Sequence, residues 1–364
     1  MRSSYAFKEK WLLVITAVLL VGGLFLVSSA SVAFSQRLYG SISFIAFRQL
    51  LWALVGLAAF FTVQLIPYKV WKWSAPFLFL LSLILLSAVF LPDIGFELKG
   101  AHRWIQIGSF NFQPSEIAKL CLVIFLAWWL DRQKGRAATM RYGALPFLGI
   151  MVVVGVLIIK EPDLGTLGVI SATGLLMFFA GGGKLTHLFG LLVLGVFAIL
   201  AVAWFMPHSV DRLRVFWDSS VDPGGIGYQV RQASIGIGSG GFWGVGYGES
   251  RQKEGYLPEP IGDSIFAVVA EEFGFLGASA VVIVFVLLLW RGIIIAKNAP
   301  DTFAKLLALG ITGTIVIQAF INIGAISGLL PLTGIPLPFI SYGGTALAVN
   351  LAGLGMVYQI AKHS

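Results

Sequence analysis

Long apolar runs alternate with short polar connections along most of this chain. Ten of these runs are long enough, some of them only with their flanks, to cross about 30 Å of hydrocarbon as a helix. They are residues 11–27, 50–66, 77–90, 117–130, 145–159, 164–180, 185–205, 264–290, 303–330 and 340–360. The pattern predicts an all-α integral membrane protein with about ten transmembrane helices, and an even number of spans places both termini on one side.

Composition supports one membrane domain over residues 1–364. Hydrophobic residues make up 58% of the chain and charged residues only 12%, and no polar linker or internal repeat separates soluble domains. The net charge of +8 raises the question of nucleic acid. The cations are spread over short connections, where they touch anionic lipid headgroups, and no nucleic-acid-binding motif accompanies them. We therefore exclude nucleic acid as a partner and expect membrane lipids.

The distribution of lysine and arginine predicts the orientation. Alternate connections hold most of these residues, including Lys69, Lys72, Arg136 and Arg141, and such connections face the cytoplasm. Both termini are then cytoplasmic, and the connections at 91–115, 207–262 and 327–344 are extracytoplasmic. The basic start, the first apolar run and the sequence SSASVAF together resemble a signal peptide. That run is long for a signal peptide, and its removal would leave nine spans, so we interpret it as the first transmembrane helix.

The segment 207–262 between the seventh and eighth spans is polar, glycine-rich and predicted to be irregular. It ends in YLPEPIGD and brings Asp263 to a membrane boundary. Because such a segment adds nothing to an apolar core, we expect it to serve function. Its glycine-rich part, residues 235–248, is typical of tight turns and close packing, and a backbone contact to phosphate is the alternative.

The segment 327–344 contains three prolines and is apolar. Proline excludes a continuous helix, and an apolar segment without helix is tolerated at membrane depth where protein buries it. We predict that this segment dips into the membrane, and a surface turn is the alternative.

Motifs of soluble enzymes are missing from the chain. We find no phosphate-binding GxxxxGK[ST], no zinc-binding HExxH and no GxSxG, and the four histidines are scattered. A transfer reaction outside the cytoplasm needs a donor that is already activated, and a lipid-linked diphosphate sugar is such a donor. Its site requires a base for the acceptor hydroxyl, cations for the departing diphosphate and a groove for the lipid.

Asp263 is the candidate base, because it lies where the long segment meets the eighth span and apolar neighbours follow it. The alternative is that its side chain caps that helix. Glu271 and Glu272 lie about two turns deeper, where a carboxylate is costly in hydrocarbon. We interpret them as members of a structural ion pair.

Candidate cations lie on the neighbouring outer connections. Lys119 follows Glu116 by three residues at the start of a helix, so it either pairs with Glu116 or points at a substrate phosphate. Arg103 precedes Trp104, and tryptophan at this level is usually an interfacial anchor. A further charged cluster and the long segment supply Lys160, Glu161, Asp163, Arg212, Arg214, Arg231, Arg251 and Lys253.

Several long motifs in order resemble the SEDS family (shape, elongation, division and sporulation), which includes FtsW, RodA and SpoVE. They are KGAHRWI at 99–105, FQPSEIAKL at 112–120, EPDLGT at 161–166, DPGGIGYQVRQASIGIGSGGFWGVGYGESRQKEGYLPE at 222–259, DSIFAVVAEEFGFLG at 263–277 and GLLPLTGIPLPFISYGGTAL at 328–347. The resemblance covers nearly the whole length. The motifs look closer to the division type, FtsW, than to the elongation type.

The resemblance implies ten transmembrane helices and a peptidoglycan glycosyltransferase of the bacterial cytoplasmic membrane. Such an enzyme polymerises lipid II at the outer face, releases undecaprenyl diphosphate and works with a class B penicillin-binding transpeptidase. The essential aspartate of the family matches Asp263. The chain departs from the common pattern at Pro260, Ile261 and Gly262, where the family often has a variable residue, His and Thr. His102 stands where arginine is frequent, so we assign it no role.

We therefore expect an inverting glycosyl transfer with Asp263 as the base. The predicted substrate-binding residues are Arg103, Trp104, Glu116, Lys119, Lys160 and Arg212, with Arg103 and Lys119 preferred for the phosphates. No dedicated metal site and no firm cofactor are predicted, although Mg²⁺ or Mn²⁺ is a common companion of a diphosphate. Two alternatives stay open: a flippase for lipid-linked precursors, and a scaffold that only recruits the transpeptidase.

Overall fold

The computed structural model of the chain describes residues 2–91, 94–98, 101–107, 110–133, 135–205, 207–218 and 220–363. Helices dominate this part of the chain. In order they are α1 (Arg2–Ala30), α2 (Val32–Tyr39), α3 (Phe44–Leu65), α4 (Tyr68–Ala88), α5 (Pro114–Gln133), α6 (Leu145–Lys160), α7 (Leu164–Ala180), α8 (Leu185–Phe205), α9 (Pro207–Trp217), α10 (Ile226–Ser239), α11 (Ile265–Lys297), α12 (Thr302–Ile326) and α13 (Gly344–Ala361). A 3₁₀ turn (Arg136–Ala138) and a π turn (Met140–Ala144) precede α6, and a second 3₁₀ turn (Gln252–Glu254) follows α10.

The prediction of an all-α membrane protein is confirmed, whereas the number of spans stays a prediction. Each of the ten apolar runs lies on a helix, and eight helices of the described chain are long and apolar enough to cross a membrane. Of the remaining two, α7 is apolar but has only 17 residues. The other, α5, has 20 residues and carries Glu116, Lys119, Asp131 and Arg132.

Helix α12 forms the centre of the bundle. Its apolar window is 72% buried, whereas the window of α8 is only 6% buried, and α12 packs against α5, α7, α11 and α13. Small residues allow the close crossing of α3 and α13: a Cβ added to Gly355 would lie 2.6 Å from the carbonyl oxygen of Phe60. The site described below therefore rests on the most buried of these candidate spans.

A small antiparallel sheet stands between α4 and α5, which the all-α prediction did not include. Its strands are β1 (Gly95–Leu98), β2 (Ala101–Ile107) and β3 (Phe110–Phe112), in the order β1-β2-β3. Lys99 and Gly100, the first two residues of the motif KGAHRWI, lie outside the described residues, and β2 carries the rest. On β2, Ile105 is buried and Gln106 is exposed, as expected for successive residues that point to opposite faces of a strand.

The segment 207–262 is more regular than predicted. It contains α9, α10 and the second 3₁₀ turn, so the expectation of an irregular segment was wrong for nearly half of it. Polar and apolar residues alternate with a helical period in both helices, and this period was hidden by the glycines and charges around it. The other described residues of the segment form turns, bends and loops.

The glycine-rich run packs closely against α11, which confirms the packing interpretation. A Cβ added to Gly240 would lie 1.9 Å from the carbonyl oxygen of Ala270. Helix α11 opens at Gly274, whose φ of 64° and ψ of −160° are accessible to glycine and strained for other residues. The amides of Val245 and Gly246 bind the carbonyl oxygens that this opening frees on Glu271 and Glu272, at 3.0 Å each.

The proline-containing segment 327–343 has no helix, as predicted, and it folds back into the protein. Ile335, Leu337, Phe339 and Ile340 are all buried. Side chains of the bundle bind its backbone: Gln318 donates to the carbonyl oxygen of Pro336 at 2.9 Å. Irregular backbone is thus satisfied inside protein, which is the condition for such a segment at membrane depth.

Candidate active site

Asp263 lies in the turn immediately before α11 and is half-buried. Gln229 of α10 donates from Nε2 to its Oδ1 at 3.2 Å and to Ser264 Oγ at 2.9 Å. The N-cap residue of α11 is Ser264, which makes no capping bond through its side chain. Among the described residues, the carboxylate of Asp263 is bound by side chains and by the amide of Asp263 itself, and Ser264 takes the N-cap position, so the helix-cap interpretation was wrong.

Two other side chains fix the backbone around Asp263. Asn322 of α12 donates from Nδ2 to the carbonyl oxygen of Asp263 and to that of Ile335, both at 2.8 Å. Ser341 Oγ donates to the carbonyl oxygen of Gly262 at 2.6 Å. The position of the carboxylate is therefore set by α10, α12 and the proline-containing segment together.

The guanidinium of Arg212 stands beside this carboxylate. Arg212 Nη1 donates to the carbonyl oxygen of Thr333 at 3.1 Å, which ties α9 to the proline-containing segment. A Cβ added to the neighbouring Gly334 would lie 3.5 Å from Arg212 Nη2 and 4.0 Å from Asp263 Oδ2. The structure thus brings two predicted site residues to the same point.

Arg103 joins the cluster from β2. Its Nε donates to the carbonyl oxygen of Glu161 at 2.8 Å, and its Nη2 donates to that of Pro162. These carbonyls belong to the turn between α6 and α7, where the buried Asp163 caps α7 by accepting from the amide and hydroxyl of Thr166. The motif EPDLGT therefore positions Arg103.

Burial raises the pKa of Asp263 to about 6, and the nearby carboxylate of Glu259 adds to the rise. The hydrogen bond from Gln229 and the charge of Arg212 oppose it. A carboxylate of this pKa is ionised at neutral pH and still holds a proton far better than an ordinary aspartate, which suits a general base.

Two guanidiniums share this region. Burial lowers the pKa of Arg212, the charge of Arg103 lowers it further, and Asp263 and Asp163 oppose the decrease. An arginine remains charged despite such a shift. Two arginines that face each other in a partly buried site favour an anion between them, and a diphosphate offers oxygens that match their forked donors.

Glu161 is fully buried, and in the part of the chain that the structure describes neither of its carboxylate oxygens has a hydrogen-bond partner. Burial raises its pKa to about 8, with a further rise from Asp163 and an opposing effect of Arg103. Glu161 therefore holds a proton at neutral pH and acts as a neutral group.

We expect Glu161→Gln to stabilise the protein increasingly as the pH rises from 5 to 8. The folded wild type retains a proton that the unfolded chain releases, so its stability falls across this range, whereas glutamine has no proton to lose. The two proteins should be equally stable near pH 5 and differ by roughly 2–4 kcal/mol at pH 8. Unfolding of both in detergent at several pH values measures the difference, with the exposed Glu249→Gln as the control variant. A constant difference would contradict the protonated Glu161.

Lys119 is buried in an ion pair and does not belong to the same cluster. Its Nζ lies 2.8 Å from Glu116 Oε1 and also donates to Gln318 Oε1, and its side chain is only 6% exposed. The pair interpretation is confirmed. A phosphate would have to displace both buried partners of Lys119, and a substrate contact of Lys119 or Glu116 stays a prediction.

Lys160 and Trp104 stand apart from Asp263 as well. Lys160 is exposed at the end of α6, and no contact within the described ranges brings it to the carboxylate. Trp104 follows Arg103 on β2, and successive residues of a strand point to opposite faces. Trp104 is thus on the far face of the sheet from Arg103, consistent with an anchor.

The other cations of the long segment have separate environments. Arg214 is exposed and lies 3.8 Å from Asp211, and Arg231 donates to the carbonyl oxygen of Pro223. Lys253 is buried, with its Nζ 2.6 Å from Glu272 Oε1. The predicted ion pair of Glu272 is confirmed, and Lys253 is removed from the supply of phosphate ligands.

Sequence reasoning missed the amides that position the carboxylate. Asn322 and Gln318 are one turn apart in the otherwise apolar α12, and buried amides in a span are costly unless they bind something. That spacing was a usable signal. Gln229 was quoted within a motif, but nothing in the sequence placed it beside Asp263.

The fold and this cluster define a class of protein: a multi-span membrane protein whose charged site sits where several helices begin or end. The family model of cell cycle proteins that groups FtsW, RodA and SpoVE matches residues 10–364. The chain belongs to this family, which confirms the resemblance seen in its motifs.

Named relatives cover almost the whole chain. Stage V sporulation protein E of Bacillus subtilis is 38% identical over 353 residues, 97% of this chain and 96% of the relative. A probable peptidoglycan glycosyltransferase FtsW of Nitrosococcus halophilus is 40% identical over 348 residues, 94% of this chain and 90% of the relative.

Solved structures agree with the fold. A chain of a peptidoglycan synthase complex, solved to study how polymerization and crosslinking are coordinated, has a TM-score of 0.80 at 29% identity and covers 96% of both chains. Rod shape determining protein RodA of Thermus thermophilus has a TM-score of 0.70 at 26% identity, covering 96% of this chain and 95% of RodA.

Proposed function

We propose that the chain is a peptidoglycan glycosyltransferase that polymerises lipid II at the outer face of the bacterial cytoplasmic membrane. Family membership and the FtsW relatives support the reaction class. The observation that carries the proposal is the juxtaposition of Asp263 and Arg212 at the start of α11. One group removes a proton and the other receives negative charge, as a glycosyl transfer from a diphosphate requires.

In this mechanism Asp263 takes the proton of an acceptor sugar hydroxyl while that oxygen attacks the anomeric carbon of the donor. The new C–O bond forms as the bond between the anomeric carbon and the phosphate oxygen breaks, with inversion at carbon. The electron pair leaves with the polyprenyl diphosphate. Asn322, Ser341 and Gln229 hold the carboxylate in place, because a base works only within hydrogen-bond reach of its proton.

Arg212 and Arg103 are the proposed phosphate partners. Arg212 is close to the carboxylate, and Arg103 is held at the other side by the carbonyls of Glu161 and Pro162. Both keep donors beyond those used in these bonds, because a guanidinium has five. The diphosphate would therefore leave between two fixed cations.

A divalent cation remains an optional part of the proposal. Within the described ranges no three His, Cys, Asp or Glu residues cluster as a metal site. Carboxylates are the preferred ligands of Mg²⁺, and here guanidiniums lie among them.

The direct test is polymerisation of purified lipid II by the purified chain in detergent or nanodiscs. Glycan strands should form, alone or with the cognate transpeptidase, and should be resolved on gels. Transport of labelled lipid II across vesicle membranes without strands would instead favour the flippase, and neither activity with a bound transpeptidase would favour the scaffold.

The rate of polymerisation should fall about tenfold for each pH unit below 6 and reach a plateau above about 7. The raised pKa of Asp263, about 6, means that the carboxyl becomes protonated in this range and can no longer accept a proton. Initial rates between pH 5 and 8 measure the profile. A rate that is flat between pH 5 and 7 at saturating lipid II would contradict Asp263 as the base.

We also propose a penicillin-binding transpeptidase as partner and a role in division. A structural neighbour is part of a complex that combines polymerization and crosslinking, and the relatives include several FtsW proteins. Both termini face the cytoplasm in this proposal, as the distribution of lysine and arginine predicts. Co-purification with a class B transpeptidase and midcell localisation of a tagged chain test these points.

A further inference from the structure

A cavity of about 190 Å³ opens on the side of α9 and α10, with Arg212 in its wall. Apolar side chains form most of the remaining wall, including Phe216 and Trp217 of α9, Val230 of α10 and Ala325 of α12. The proline-containing segment closes it through Leu330 and Leu332. Arg212 is thus shared by the cavity and the proposed active site.

The chemistry of this wall selects the ligand. A sugar ring would bury several hydroxyls against a wall whose side chains, apart from Arg212 and the indole nitrogen of Trp217, offer no partner, and unpaired polar groups are costly. A purely apolar chain would leave the guanidinium without an anion. An anion joined directly to an apolar chain satisfies both parts of the wall.

The rim of the cavity is suited to a ligand that continues into lipid. Trp217 is 85% exposed and Leu330 is 41% exposed. Large apolar side chains at the boundary of a membrane protein contact lipid or a lipidic ligand.

We propose that this cavity binds the first isoprene units of the carrier lipid, while Arg212 binds the adjoining phosphate. The inference rests on the proposed function and specifies where its leaving group lies. A second cavity, of about 310 Å³, lies between α6, α7 and α8 and is lined by apolar residues such as Ala198. The proposal does not include this second cavity.

Binding measurements with small probes test the proposal without any turnover. Geranyl diphosphate and inorganic diphosphate are titrated into the full-length protein in nanodiscs, with empty nanodiscs as background. Geranyl diphosphate should bind at least about tenfold more tightly, because the chain buries apolar surface. Val230→Phe, which fills the cavity, should remove most of this advantage and leave inorganic diphosphate unaffected. Ala198→Phe is the matched variant in the other cavity and should change neither affinity.

Several results would overturn the proposal. They are equal affinity for the two probes, an unchanged geranyl diphosphate affinity in Val230→Phe, and loss of the advantage in Ala198→Phe. Ala325→Phe fills the same cavity from α12 and replaces Val230→Phe if that variant does not fold. If the wild type synthesises glycan strands and any of these results is obtained, the lipid-binding proposal is wrong and the proposed function still stands. If geranyl diphosphate binds selectively and no strands form, the lipid-binding proposal stands and the proposed glycosyl transfer is wrong.

Discussion

Replacing Asp263 with asparagine should abolish lipid II polymerisation, with a loss of at least about a hundredfold, because positioned proton transfer contributes roughly 10²–10⁴ to a rate. Asparagine keeps the size of the side chain but cannot accept the proton of the acceptor hydroxyl. The Asp263→Asn protein should be at least as stable as the wild type. Burial raises the pKa of Asp263, so the ionised carboxylate destabilises the folded state at neutral pH. The neutral amide should therefore raise the free energy of unfolding by roughly 2 kcal/mol.

The control for this experiment is Asp218→Asn, an identical chemical change at an exposed position that follows α9. It should retain the wild-type rate within about twofold, as surface substitutions usually do. Both variants are compared at equal amounts of folded protein and of bound transpeptidase. An active and well-folded Asp263→Asn protein would rule out this residue as the base. An Asp263→Asn protein that is both inactive and less stable than the wild type would contradict the destabilising effect of the ionised carboxylate.

Replacing Lys253 with methionine should reduce the free energy of unfolding by roughly 3–5 kcal/mol. The side chains of Lys253 and Glu272 are only 2% and 1% exposed, and their charged atoms are 2.6 Å apart. Ser29 of α1 donates to the same carboxylate at 2.7 Å and accepts from Lys253 Nζ at 2.8 Å. Methionine fills the space but leaves the Glu272 carboxylate buried without a counterion. Denaturant titration in micelles measures the loss.

The second substitution Glu272→Gln, made in the Lys253→Met background, should recover most of the stability, because the uncompensated charge is then gone. Lys184→Met, at an exposed lysine after α7, is the single-variant control and should change stability by less than about 0.5 kcal/mol. Equal stability of the Lys253→Met and Lys184→Met proteins would show that the buried pair contributes nothing.

The sequence predicted the membrane-embedded helices well because lipid imposes a simple rule on them: each must be apolar over its length and satisfy its own backbone. The non-helical conformation of the proline-containing segment was predictable from the same rule, because proline cannot donate the backbone hydrogen bond that a continuous helix requires. The sheet and helices α9 and α10 lie outside the bundle. There no such rule applies, and glycines and charges obscured the short periodic patterns.

The site was predictable only in part. Asp263 could be singled out because a carboxylate at the end of a polar segment is unusual in so apolar a chain, and the resemblance to the family strengthened that choice. The sequence offered many cations on the outer connections and could not show that Arg103 and Arg212 are the ones near Asp263. For Lys119 it left two interpretations. Its spacing from Glu116 fits both an ion pair and an outward-facing cation, and only the packing of Gln318 against it decides between them. Such decisions depend on contacts between residues distant in the chain.

Asn322 and Ser341, whose amide and hydroxyl fix the backbone around Asp263, both follow Asp263 in the chain and are therefore synthesised after it. During synthesis the carboxylate therefore enters the membrane boundary long before its supports exist. A nascent chain released before residue 341 would carry every proposed reacting group and yet lack the wall that orients them. Truncated products that end before these residues should therefore be inert.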